Sequence, residues 1–94
     1  MRLVWSRAAM RDLDEIAAYL GMESERASEL VEGCIHEEAK LLSRFPRSGR
    51  VGRVPGTRER VVGRTPYILA YRIVSGRIRV LRVYHSARKW PKQF

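Results

Sequence analysis

The side chains best suited to chemistry are arginines in the second half of the chain, together with one histidine. Residues 40–94 contain fifteen of the nineteen basic side chains but only one acid, Glu59. Arginine carries a planar fork of donors that matches phosphate and carboxylate groups, so this half is predicted to bind a polyanion, although arginine-rich codon usage would produce the same bias. His85 follows Tyr84, and together they could supply acid–base chemistry. Alternatively, His85 bonds the backbone or docks the tail.

Four further arginines in this half have a structural interpretation beside the functional one. Arg47, Arg50 and Arg53 recur every three residues in a glycine-containing loop. A solvated loop is favoured over an arm that contacts phosphates or a target. Arg82 lies in an apolar run, where a partly buried guanidinium needs a carboxylate, and Glu59 is predicted to be its partner.

Metal, disulfide and membrane sites are not predicted. Neither His36 nor His85 has a second ligand at a useful spacing, so no metal or cofactor is expected. Cys34 is the only cysteine and falls on an apolar helix face, which indicates a buried, inert thiol. No apolar stretch is long enough for a membrane span or a signal peptide, so a cytoplasmic protein without membrane contact is expected.

The first part of the chain, which carries nine of the ten acids, has the pattern of a helical hairpin. Ser6 can cap a helix over residues 7–20 that Gly21 then ends, and Ser24 can cap a second helix that reaches about Arg44. The short connection predicts that the two helices are antiparallel. Most acids are predicted to lie on the solvated face of the hairpin: Asp12, Asp14, Glu15, Glu29, Glu32 and Glu37.

Strand-like segments make up most of the rest of the chain. A short strand is predicted at residues 2–5, and a basic loop at 46–56 precedes three strands at about 58–63, 67–74 and 77–85. The order β-α-α-β-β-β predicts an α+β fold in a single domain, 1–94. Its economical packing is an antiparallel sheet with the N-terminal helical hairpin packed on one face.

Alternation along the strands predicts which side chains share a face of the sheet. Tyr67 and Tyr71 are in phase with Leu69 and Ile73, so they are predicted to be core or groove wall. Trp90 is predicted to anchor the tail on the sheet rather than to stack on a base. The last strand divides into two sides: Arg77, Arg79, Leu81, Val83 and His85 on one, and Ile78, Val80, Arg82 and Tyr84 on the other.

A series of short segments, none of them specific alone, runs through nearly the whole chain. The segments are Ala8-Ala9, Asp12-Leu13-Asp14-Glu15-Ile16 with Tyr19, Leu41-Leu42 to Phe45-Pro46, Val54-Pro55-Gly56-Thr57-Arg58-Glu59, Pro66-Tyr67-Ile68-Leu69-Ala70-Tyr71-Arg72, and Val80-Leu81-Arg82-Val83-Tyr84-His85 with Arg88. In this order they resemble the RelE/ParE superfamily of bacterial toxins from type II toxin–antitoxin modules. The resemblance implies a toxin neutralised by a ParD- or RelB-like antitoxin encoded by the neighbouring gene.

One branch of the superfamily consists of ribosome-dependent mRNA endoribonucleases. If the chain is similar to these RelE-like members, the candidate catalytic residues are Arg58 and Arg60 on the first meander strand, with His85 and Arg88 at the end of the last one. The chain departs from the pattern at Ile68, where such nucleases carry an arginine, and Arg88 fits only with a register shift. The nuclease set is therefore incomplete.

The other branch consists of ParE-like proteins that poison DNA gyrase and need no nuclease residues. The segment 83–91 is closer to this branch, which makes a gyrase poison the favoured interpretation and the ribosome the alternative target. A plain RNA-binding module is a third possibility, but the sheet lacks the exposed aromatic pairs that such modules use. The candidate target- and antitoxin-binding residues are Arg58, Arg60, Arg79, Arg82, Tyr84, His85, Arg88 and Trp90.

Overall fold

Two helices and five strands make up the chain, and the computed structural model describes all residues 1–94. The elements in chain order are β1 (Arg2–Trp5), α1 (Arg7–Glu23), α2 (Glu25–Arg44), β2 (Arg50–Val51), β3 (Arg58–Val61), β4 (Tyr67–Val74) and β5 (Arg77–His85). The α+β class and the helical hairpin are therefore confirmed. The one added element is β2, a two-residue strand inside the segment predicted to be a loop.

The helices begin where the sequence predicts. The hydroxyl of Ser6 accepts a hydrogen bond from the Ala9 amide at 3.0 Å, and that of Ser24 accepts one from Ala27 at 3.1 Å. The prediction that Gly21 ends α1 is wrong, because the helix continues to Glu23. Glycine inside a helix costs only about 1 kcal/mol, whereas the extended backbone of Ser24 both ends α1 and caps α2.

The sheet has the strand order β1-β5-β4-β3-β2. Strand β1 runs parallel to β5, because the helical hairpin that follows β1 returns the chain to the same end of the sheet before the meander begins. All other neighbours are antiparallel, so the sheet is mixed rather than wholly antiparallel as predicted. Strand β3 ends at Val61 rather than at residue 63, because Val62 and Thr65 form the turn into β4.

A β-bulge interrupts the pairing of β4 with β5. Tyr71 lies opposite Val80 and Ala70 lies opposite Arg82, so Leu81 has no partner on β4. The extra residue reverses the alternation of β5, and Val83 joins Val80 in the core on the helical side. The predicted division of the last strand into two unbroken sides is therefore wrong beyond Val80.

The core lies between the hairpin and the helix-facing side of the sheet. Its fully buried members include Ala9, Ile35 and Leu42 from the helices, and it contains both Tyr67 and Tyr71, as predicted. The Tyr71 hydroxyl donates to the Pro46 carbonyl at 2.7 Å and accepts from the Gly49 amide at 3.0 Å. This tyrosine thereby ties the start of the basic loop to β4. Cys34 is free and half-buried, and it packs against the core.

Gly49→Ala is expected to lower the free energy of unfolding by about 1–2 kcal/mol, because overpacking forces neighbours to shift. A Cβ at this position would lie 2.5 Å from the Tyr71 hydroxyl oxygen and 2.8 Å from the Glu59 carbonyl oxygen. Gly33→Ala is the matched control, since a Cβ there meets nothing within 4 Å and alanine favours the helix by about 1 kcal/mol. Urea unfolding of both variants tests this, and equal stabilities would contradict it.

Candidate functional site

The face of the sheet away from the helices, here called the open face, has two ends of different character. At one end Ile68, Ala70 and Tyr84 are almost fully buried although no helix covers them. The loop at 50–57 and the C-terminal tail enclose this end. At the other end, near the Ser75-Gly76 turn, Val74 and the nearby arginines are exposed.

The tail is held on the covered end by aromatic contacts. The Trp90 ring packs edge-on against Tyr84 with ring centroids 5.0 Å apart, and Phe94 contacts the same tyrosine at 6.1 Å. The Arg53 guanidinium lies over the Trp90 ring at 4.0 Å, and that of Arg88 lies over Tyr84 at 4.3 Å. Trp90 therefore anchors the tail, as predicted, and bridges it to the basic loop.

Glu59 binds that loop to the sheet. Its side chain is 1% exposed and accepts from the Arg50 guanidinium at 3.0 Å, from the Arg53 guanidinium at 3.1 Å and from the Arg53 amide at 2.8 Å. Burial alone would raise the pKa of Glu59, but the hydrogen bonds from Arg53 and Arg50 lower it below its ordinary value of 4.5. Arg50 and Arg53 are exposed, as predicted for a solvated loop, but both are paired with Glu59, which the prediction missed, because β2 places Arg50 opposite Glu59.

The predicted partner of Arg82 is also wrong. Arg82 donates two hydrogen bonds of 2.8 Å to Asp12 on α1, and this pairing raises the pKa of the guanidinium despite its partial burial. Asp12 also accepts the Val83 amide at 2.9 Å, while the Ser6 hydroxyl donates to the Leu81 carbonyl. These bonds satisfy backbone groups at the bulge, where β5 extends beyond the end of β1.

Asp12 is accordingly not on the solvated face of the hairpin. It is 4% exposed, whereas the other five acids predicted for that face are exposed. Helical periodicity places Asp12 at the margin of the apolar face, and only the contact between α1 and β5 reveals its burial. An aspartate near a predicted helix start is too common to have indicated this role.

The structure does not gather the candidate nuclease residues into one site. Arg58 donates to the Gly49 carbonyl at 3.0 Å, and Arg60 donates to Glu38 of α2 at 2.9 Å. His85 lies two strands away, across the buried strand β4, where its Nδ1 accepts the Ala87 amide at 3.0 Å. This contact with the tail backbone agrees with the structural alternative for His85. Ile68 is buried at the end of the open face that the C-terminal tail covers.

A small hollow of about 160 Å³ does lie beside His85. It is lined by Asp12, Glu15, Ile16, Tyr19, Tyr67, Val83, His85 and Arg88. Burial, with a smaller effect of Tyr19, raises the pKa of Tyr67, so this phenol stays protonated and is a poor base. The rings of Tyr67 and His85 meet edge-on at 5.6 Å. Arg88 is the one arginine that lines the hollow, and its guanidinium stacks on Tyr84.

The structure contains neither a metal-binding cluster nor a membrane-spanning helix. No group of three or more His, Cys, Asp or Glu side chains lies close enough together to hold a metal ion. Neither helix is long and apolar enough to cross a membrane.

Comparisons with known proteins identify the family. Residues 3–90 match the family described as the ParE toxin of the type II toxin–antitoxin system parDE. The chain is 40% identical over 91 residues to Y4kP of Sinorhizobium fredii, which carries the provisional name of a toxin; the match covers 97% of this chain and 94% of Y4kP. It is 29% identical to the toxin RelE2 of Caulobacter vibrioides, with 93% and 97% of the two chains covered.

A solved structure agrees with the sequence matches. The chain superposes on a protein of the chromosomal ParDE toxin–antitoxin system from P. aeruginosa with a TM-score of 0.80 and 30% identity, and the match covers 90% of this chain and 95% of that one. The two folds therefore correspond over most of both chains, and the chain belongs to the ParE toxin family of type II toxin–antitoxin systems.

Proposed function

We propose that this toxin acts in the cytoplasm by poisoning DNA gyrase and is neutralised by a ParD-like antitoxin from the neighbouring gene. The observation that carries the proposal is the dispersal of the nuclease candidates. Arg58 and Arg60 are engaged by protein acceptors on β3, whereas His85 lies beyond β4. A binding protein does not need these groups to converge, but phosphodiester cleavage does.

The surface proposed for the target and the antitoxin is centred on the tail and the exposed arginines beside it. Arg88 and Trp90 are accessible in whole or in part, so they are the stronger members of the predicted set, whereas Arg79 is exposed at the other end of the open face. Arg58, Arg60 and Arg82 have protein partners already, and Tyr84 is buried under the tail. An acidic antitoxin segment would be attracted to the basic half by charge complementarity.

The second candidate function, ribosome-dependent mRNA cleavage, rests on one observation. The hollow beside His85 brings an imidazole, a phenol and Arg88 together, and the Caulobacter relative is named RelE2. Pulse labelling of protein and DNA synthesis after induction separates the two functions. An early fall in DNA synthesis with broken chromosomes is expected. An early collapse of protein synthesis with intact DNA synthesis would contradict the gyrase proposal.

Removal of residues 88–94 is expected to weaken inhibition of purified gyrase at least tenfold, because the anchored tail is part of the proposed target surface. The sheet should stay folded, since β5 ends at His85 and the core lies on the other face. Gyrase supercoiling and DNA-cleavage assays measure the effect, with circular dichroism as the folding check. The double variant Lys89→Gln/Lys92→Gln is the control for two of the three positive charges that the truncation removes. Full inhibition by the folded truncation would remove the tail from the target surface.

A further inference from the structure

The uncovered end of the open face carries an unusual arrangement of like charges. In the register of the sheet, Arg2 lies beside Arg77 and Arg72 lies opposite Arg79. All four side chains point away from the helices, because their neighbours along the strands, Ile78 among them, fill the core. These residues form what is here called the arginine quartet. Like charges directly across two strands destabilise a sheet.

No acid of the chain neutralises the quartet. The ion-paired arginines are Arg50, Arg53, Arg60 and Arg82, and none of the quartet is among them. The only carboxylate on β3, that of Glu59, is already bound by two other guanidinium groups. The Nε atom of Arg72 is buried and has no hydrogen-bond partner. A phosphate cannot reach this atom, so the contacts proposed below fall mainly on the exposed arginines Arg2, Arg77 and Arg79.

The quartet partly surrounds a shallow hollow of about 450 Å³. Its lining residues are Val4, Arg72, Val74, Ser75, Arg77, Ile78, Arg79 and Leu81. The lining contains aliphatic side chains and guanidinium groups but no aromatic ring. Unpaired bases bind proteins largely by stacking on aromatic rings, so the hollow is poorly suited to a single strand.

We propose that the arginine quartet binds the phosphate backbone of duplex nucleic acid without reading its bases. Arg77 and Arg79 are two residues apart on β5, which separates them by about 7 Å along the strand. Consecutive phosphates of one DNA strand advance about 3.4 Å along the helix axis but, because the strand also winds around that axis, lie about 7 Å apart through space, so these arginines match neighbouring phosphates. An acidic peptide also has the required charge sign, but its carboxylates lack this fixed, dense spacing. The proposal does not depend on gyrase being the target.

The test is binding of the purified full chain, free of antitoxin, to a fluorescent 20-base-pair DNA duplex at several salt concentrations. Each phosphate contact contributes about 0.9 to the slope of log affinity against log salt. Arg77→Gln/Arg79→Gln is therefore expected to reduce the slope by about 2 and to weaken binding at least tenfold at low salt. Arg77→Lys/Arg79→Lys should retain most of the slope, because the charges remain.

The matched control is Arg11→Gln/Arg26→Gln, which removes the same charge from exposed helix positions without ion pairs. The slope of log affinity against log salt for this control should equal that of the parent chain. An equal loss in the control would overturn the proposal, since binding would then depend on net charge alone. Stronger competition by polyglutamate than by unlabelled duplex would also overturn it in favour of an acidic protein. Arg77→Gln/Arg79→Gln should melt no lower than the parent, because it relieves like-charge repulsion. The gyrase assay is independent of all these outcomes.

Discussion

Asp12→Ala is expected to lower the free energy of unfolding by about 3 kcal/mol, the low end for removal of one partner of a buried ion pair. The carboxylate accepts three hydrogen bonds, two from Arg82 and one from the Val83 amide. Its loss leaves a partly buried cation and an unsatisfied backbone donor beside the bulge. The low end applies because the Arg82 side chain is 26% exposed, so water can solvate it in part.

Such a loss is a large fraction of the roughly 5–14 kcal/mol expected for a domain of this length. Urea unfolding of Asp12→Ala and Asp14→Ala provides the measurement and its control, since Asp14 is exposed on the same helix and forms no ion pair. A double-mutant cycle with Arg82→Met isolates the pairwise energy. If Asp12→Ala and Asp14→Ala unfold at the same urea concentration, the bond network does not stabilise the bulge.

Glu59→Gln is expected to cost about 2–3 kcal/mol at neutral pH, because hydrogen bonds to a buried charge are stronger than those to a neutral amide. The loop at 50–57 depends on these bonds, and Arg53 in turn stacks on Trp90 of the tail. The substitution should therefore loosen loop and tail together. Faster proteolysis within residues 50–57 and 86–94 would report this, with Glu37→Gln on the exposed face of α2 as control.

The same residue predicts how stability depends on pH. Its pKa is lower in the folded chain than its ordinary 4.5, so the unfolded chain binds the proton more tightly. The stabilisation by Glu59 is complete above pH 4.5 and is lost as the pH falls through the folded pKa. Below pH 4.5 the stability of the parent chain should thus fall more steeply than that of Glu59→Gln. Parallel curves for the two proteins between pH 5 and pH 3 would contradict this assignment.

Local sequence was sufficient for both helices and for four of the five strands. Ser6 and Ser24 cap the helices as predicted, the strands at 67–74 and 77–85 have the predicted bounds, and Tyr71 lies in the core. Caps and periodicity are readable because they depend on residues within a few positions of one another. The family resemblance, carried by a series of short segments, was confirmed by the match over residues 3–90.

The ion pairs were beyond local reasoning. Glu59 was the predicted partner of Arg82 because it is the only acid in residues 40–94. Arg82 instead pairs with Asp12, seventy positions away, and Glu59 pairs with the loop. The bulge at Leu81 and the parallel pairing of β1 with β5 bring α1 to the edge of β5. Neither feature has a signal in the sequence of β5 alone.

The sequence by itself thus determined the helices, every strand except β2, the charge division and the family. Only the tertiary structure decided which charges meet, which arginines remain unpaired and that the candidate nuclease residues lie apart. The physical reason is that secondary structure and charge are properties of neighbouring residues, whereas pairing depends on strand register and on one unpaired residue in a bulge. A shift of a single residue in register moves a side chain to the opposite face of the sheet.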